Sequence, residues 1–79
     1  MVEVDGKVEA IVAETLQMPA GQVSDALTME DAAAWDSLKH MELIVALEGA
    51  FGVELSFDEI VTMRSVGEIK SILREKAAA

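Results

Sequence analysis

Between Ala34 and Leu43 the chain reads AWDSLKHMEL, and three of those side chains are of types that can do chemistry together: Asp36, Ser37 and His40. On a helix, a serine three residues before a histidine shares a face with it, and the aspartate completes a nominal Ser, His and Asp set. Asp36 adjoins Ser37 in sequence, however, and is badly placed to orient the far nitrogen of His40. No glycine-rich loop nearby offers the paired backbone donors of an oxyanion hole. The set does not read as a hydrolase, and His40 is expected to be a solvated helix residue or a partner contact.

Ser37 has two other uses. Asp36 or Ser37 can cap the helix that follows, accepting hydrogen bonds from its first free N–H groups. Neither has Glu or Gln three residues on, where Lys39 and His40 stand, so the reciprocal capping box is missing. With Asp36 as the cap, Ser37 occupies the first helical position with its hydroxyl exposed. A phosphate ester there would meet unpaired backbone donors and the positive end of the helix dipole, which makes Ser37 a candidate modification site, as the same argument does for many serines at helix starts.

The elements that must hold this segment are helical. The chain has 79 residues, one tryptophan and 52% hydrophobic residues, mostly aliphatic or Met, so it has one small core and little room for an enclosed cleft. There is no cysteine, which excludes a disulfide framework, a thiolate metal site and a cysteine nucleophile. A net charge of −9 opposes binding to nucleic acid and favours basic protein partners. Eight acidic residues and one basic residue, Lys39, lie between Glu30 and Glu59, a distribution that also suits a solvated acidic face. No stretch has the ligand spacing of a calcium loop, and no metal site is expected. The start MVEVDGKVEA lacks a basic stretch leading into an apolar run, and no segment approaches the ~18 apolar residues of a membrane span. A cytoplasmic protein without membrane insertion is the expectation.

Punctuation divides the chain into helices over residues 4–17, 36–50, 57–62 and 66–76 of one domain, 1–79. The first carries Val4, Val8, Ile11, Val12 and Leu16 on one stripe, with Glu3 and Asp5 near its positive end, and Met18-Pro19 stops it. A long irregular connection follows, with a short turn near Gln22 to Ala26 and with Val23, Leu27 and Met29 pinning it to the core. The second helix carries Leu38, Met41, Ile44, Val45, Leu47 and Phe51 over a wide apolar sector, directs Lys39, Glu42 and Glu48 outward, and stops at Gly52. Ser56 with Glu59, and Ser65 with Glu68, form capping boxes that open the third and fourth helices. The fourth carries Val66, Ile69, Ile72 and Leu73, with Arg74 and Lys76 at its negative end and a fraying tail from Ala77 to Ala79.

With these elements in place, Asp36-Ser37-Leu38, the following MELIVALEGAFGVEL, the capped short helix and TMRSVGEI together resemble the acyl carrier protein family over essentially the whole chain. The resemblance implies an all-α, right-handed-turning antiparallel four-helix bundle with a short third helix and a long first loop, and a monomer that performs no catalysis. It implies that Ser37, flanked by Asp36 and Leu38, receives 4'-phosphopantetheine from coenzyme A through a magnesium-using phosphopantetheinyl transferase. The arm's thiol would hold acyl or aminoacyl cargo as thioesters for acyl-loading and acyl-processing enzymes with basic docking surfaces. Leu38 would contribute to docking, and Asp36 would orient transferase chemistry. Glu42, Val45 and Glu48 would lie on the recognition face, with Val45 an apolar anchor between charges. Met41, Leu47, Ile60 and Met63 are candidates for a cleft between the second and third helices that shelters cargo, or for ordinary core.

This chain departs from the common pattern of the fatty-acid carriers. Ala34-Trp35 precedes Asp36 where a small pair is usual, and Lys39, His40, Gly49 and Ala50 make the second helix less acidic. A dedicated carrier of a specialised pathway is the reading, with Trp35 packing the loop onto the bundle. The competing reading is an unmodified acidic helical interaction module in which Ser37 is only a cap.

Overall fold

The computed structural model describes residues 4–78. Among these the chain forms four α-helices: α1 (Val4–Leu16), α2 (Ser37–Phe51), α3 (Phe57–Thr62) and α4 (Val66–Ala78), with a single 3-10 turn at Ala20–Gln22 and no strand. The bundle measures 33 × 25 × 19 Å, and α1 packs against both α2 and α4. This is the all-α fold, with a short third helix and a long first loop, that the periodicity predicts.

Helix α1 buries Val8, Val12, Ala13 and Leu16 and leaves Val4 and Ile11 half-buried against the core. Asp5 lies in its first turn as expected, whereas Glu3 falls outside the described residues. The helix stops at Leu16, before the proline. Gln17 adopts a left-handed backbone, φ 55°, and the Met18 N–H donates to the Ala13 carbonyl at 3.0 Å, a six-residue closure of the Schellman kind. Glycine usually takes that position, so Gln17 gives no sequence signal for the stop.

The face of α2 that is buried differs from the expected sector. His40, Leu43, Ile44 and Leu47 point inward, while Leu38 and Val45 are 69% and 66% exposed and Met41 is 51% exposed. Apolar residues surround most of this helix, and periodicity alone cannot select which of them face the core. Gly52 ends it with φ 65°, and its N–H donates to the Glu48 carbonyl. The Ser56 and Glu59 capping box is complete at α3. At α4 the Ser65 hydroxyl accepts from the Glu68 N–H, but the Glu68 carboxylate takes the Ser65 hydroxyl rather than its backbone N–H, so the reciprocal bond is absent. Ser65 is engaged there in an antiparallel bridge to Thr28.

That bridge belongs to a set of bonds that orders the long loop. The Met29 N–H donates to the Arg64 carbonyl and the Val66 N–H to the Leu27 carbonyl, each at 3.0 Å, and the Gly67 N–H donates to the Asp25 carbonyl at 3.1 Å. A Cβ at Gly67 would stand 3.2 Å from that same oxygen, so the glycine permits the close approach. Val23 and Trp35 are buried, and Leu27, Met29 and Ala32 pack against the core, which realises the pins expected of Val23, Leu27 and Met29 and the packing role of Trp35.

Lys70 of α4 is only 4% exposed, and its ammonium bonds Asp25 of the loop at 2.5 Å and Glu9 of α1 at 2.6 Å. The bonds to Asp25 and then Glu9 hold the Lys70 pKa above its usual 10.5. A raised pKa means the pairing is fully present at neutral pH and is lost only as pH climbs through that elevated value. Lys76 lies in the last turn of α4 as expected, and both it and Arg74 also reach across the bundle: Arg74 bonds Asp5 and lowers that carboxyl's pKa, and Lys76 pairs with Glu59 at 2.8 Å.

A buried ammonium stripped of both partners costs more than its removal. Glu9→Gln with Asp25→Asn is expected to destabilise the chain by ~2–3 kcal/mol, and Lys70→Met by clearly less, because the freed carboxylates are partly hydrated. Urea unfolding of the two variants against wild type checks that order.

Candidate functional site

The loop arrives at α2 through Trp35, and Asp36 turns it. Asp36 has extended backbone, φ −94° and ψ −175°, and its Oδ1 accepts from the Lys39 N–H at 2.9 Å. Its carbonyl accepts from the His40 N–H at 2.8 Å, which starts the helix. Ser37 is then the first helical residue. It is exposed, and its hydroxyl has no hydrogen-bond partner among the described residues.

The segment is held from beneath by two aromatic side chains. Trp35, 2% exposed, donates its indole N–H to His40 Nδ1 at 3.0 Å, and His40 Nε2 lies 2.9 Å from the Ile60 carbonyl of α3. Indole nitrogen only donates and a carbonyl only accepts, so His40 is neutral with its proton on Nε2. His40 is 8% exposed, which corrects the expectation of a solvated residue or partner contact. Its ring tethers the loop, α2 and α3 together, and with both nitrogens engaged it has none free to act on Ser37.

Beside Ser37 lies a cavity of about 240 Å³ lined by Met29, His40, Met41, Ile60, Val61 and Arg64. The guanidinium of Arg64 pairs with Glu30 and lowers the Glu30 carboxyl pKa, which fixes Arg64 at the rim. Met41 and Ile60, two of the four cleft candidates, are thus brought together near Ser37. Leu47 and Met63, the other two, are wholly buried in the core and do not line this cavity.

On the outer side of α2, Leu38, Met41, Glu42, Val45 and Ala46 line a shallow apolar depression of about 480 Å³. Glu42 pairs loosely with Lys39 at 3.6 Å and remains exposed. Glu48, expected outward, is half-buried: its Oε2 accepts from the Leu55 N–H at 2.9 Å and braces the connection into α3. Phe57 and Val61, one helical turn apart on α3, are also exposed, at 78% and 51%. Sequence reasoning did not single out Val61, Phe57, Met29 or Arg64 for this region, because they come from segments distant in the chain.

These features suit a covalently held phosphate. The Ser37 hydroxyl is uncovered and unengaged, Asp36 has already satisfied the Lys39 N–H, and the earlier N–H groups of the first turn face outward with the positive end of the helix dipole. Comparison with known proteins agrees. Residues 6–73 match the family described as "Phosphopantetheine attachment site", which makes this a phosphopantetheine-bearing carrier and not an enzyme. The chain is also 41% identical over 78 residues to the acyl carrier protein of Thermosynechococcus vestitus, a match covering 98% of this chain and 95% of that protein. It belongs to the acyl carrier protein family. No helix among the described residues is long and apolar enough to cross a membrane.

The division of labour between Asp36 and Ser37 has a measurable signature. Asp36→Ala is expected to cost ~1 kcal/mol of stability through loss of the cap. Ser37→Ala, which removes no hydrogen bond, is expected to stay within ~0.5 kcal/mol of wild type. Thermal unfolding of both variants checks the pair.

Proposed function

We propose that Ser37 is the residue that receives 4'-phosphopantetheine, and that the chain carries acyl or aminoacyl groups between the enzymes of a specialised pathway. The observation that carries this reading is the free hydroxyl at the first position of α2, inside the segment that matches the attachment family. When attached, the arm supplies the thiol that this cysteine-free chain lacks, and cargo is held on it as a thioester. The chain's own residues do the positioning. Asp36 takes the capping role and leaves Ser37 unengaged, and the Trp35 and His40 pair fixes the turn in front of it. Leu38 sits next to the modified residue and, 69% exposed, is available to a docking enzyme.

Partners meet the outer face of α2. Leu38, Met41 and Val45 supply apolar contact there, Glu42 supplies charge, and the net charge of −9 steers basic enzyme surfaces toward it. A phosphopantetheinyl transferase and the acyl-loading and acyl-processing enzymes are the partners this face suits, with Val45 as an anchor. Glu48, committed to the Leu55 N–H, contributes to that face mainly by holding the end of α2.

Incubation with coenzyme A, magnesium and a broad-specificity phosphopantetheinyl transferase is expected to add one phosphopantetheine to wild type and none to Ser37→Ala, read by intact mass. An unmodified interaction module would gain nothing in either case. Val45→Asp, at an exposed position, is expected to leave the fold intact and to slow this modification on the order of tenfold, the loss typical of one apolar anchor.

A further inference from the structure

Ser37 itself lines a cavity with Met29, Met41, Ile60, Val61 and His40, so this is the concave space next to a group attached there. Its volume of about 240 Å³ is small, and a short acyl group is the most that it can shelter. Beyond it the interior is packed core, with Leu47 and Met63 fully buried. A longer chain can enter only by parting α3 from α2.

Helix α3 is fastened against that movement. The His40 Nε2–H donates to the Ile60 carbonyl at the middle of α3, and no second acceptor is engaged by that nitrogen. Lys76 of α4 holds Glu59, and the Arg64 carbonyl just after α3 accepts from the Met29 N–H of the loop. Moving α3 outward would leave the buried imidazole N–H unsatisfied, and a hydrocarbon chain offers no acceptor to replace the carbonyl.

We propose that His40 is a latch that closes the space between α2 and α3 to cargo, so that this carrier shelters at most a short acyl group and displays longer ones to solvent. His40 is thereby a specificity-determining residue, through its hold on Ile60. The proposal rests on the reading of Ser37 as the attachment residue. The unmade hydrogen bond disfavours the opened arrangement by on the order of tenfold to a hundredfold.

The test loads the full chain with butyryl- or dodecanoyl-phosphopantetheine from the corresponding coenzyme A thioesters and follows Met, Ile and Leu methyl resonances. On wild type, butyryl is expected to shift Met29, Met41 and Ile60, dodecanoyl to leave Leu47 and Met63 in place, and hydroxylamine to cleave the displayed dodecanoyl thioester at least as fast as the butyryl one. In His40→Leu the dodecanoyl chain is expected to shift Leu47 and Met63 and to be cleaved on the order of tenfold more slowly. Shifts at Leu47 and Met63 with dodecanoyl on wild type would overturn the latch, as would a folded His40→Leu that behaves like wild type. If His40→Leu does not fold, the two cargoes on wild type decide the matter. Intact mass taken first separates the two ideas: an unloaded chain overturns the Ser37 reading and the latch with it, whereas a loaded chain with core shifts overturns the latch alone.

Discussion

The hydrogen bond from the indole of Trp35 to His40, continued from His40 to the Ile60 carbonyl, is the constraint on which the region around Ser37 depends. It joins the end of the long loop, the first turn of α2 and the middle of α3 through one buried ring. Because the ring must donate to the carbonyl and accept from the indole, the arrangement works only for a neutral imidazole in one tautomer. Asp36 then completes the turn by capping α2, and Ser37 emerges with nothing left to bond. A small helical protein can thus hold one hydroxyl rigidly in place while leaving it chemically free.

The rest of the molecule keeps that loop from moving. Lys70 gathers Asp25 and Glu9 beneath it, and the bridge between Thr28 and Ser65 sews its middle to the start of α4. A connection of this length usually brings conformational freedom, and here buried Val23 and Trp35 together with these polar ties remove it. Most of the acidic excess remains on the outside, alongside the exposed apolar face of α2.

Much of this was legible in the residues. The capping pair of Ser56 and Glu59, the stop at Gly52 and the buried stripe of Val8, Val12 and Leu16 follow from local rules, and the structure realises them. The position of Ser37 at the start of α2 was likewise readable from Asp36 and the apolar run behind it. Other features depend on three-dimensional neighbours. Helix α2 is apolar around most of its girth, so its spacing could not reveal that Leu38, Met41 and Val45 face outward while Leu43 and His40 face in. His40 looked like a surface residue because its partners, Trp35 and the Ile60 carbonyl, lie on a loop and another helix. Lys70 gave no hint of burial, since its two carboxylates lie 45 and 61 residues away in the chain. The left-handed Gln17 had no signal at all.

On the proposed reading the arm sits on Ser37 and on no other serine. The chain has four others, Ser24, Ser56, Ser65 and Ser71, of which Ser56 and Ser65 spend their hydroxyls capping α3 and α4. The most direct measurement is fragmentation mass spectrometry of the holo chain, locating the phosphopantetheine-bearing residue in the sequence. The whole of the modification is expected to map to Ser37. Attachment at any of the other four serines would contradict that reading.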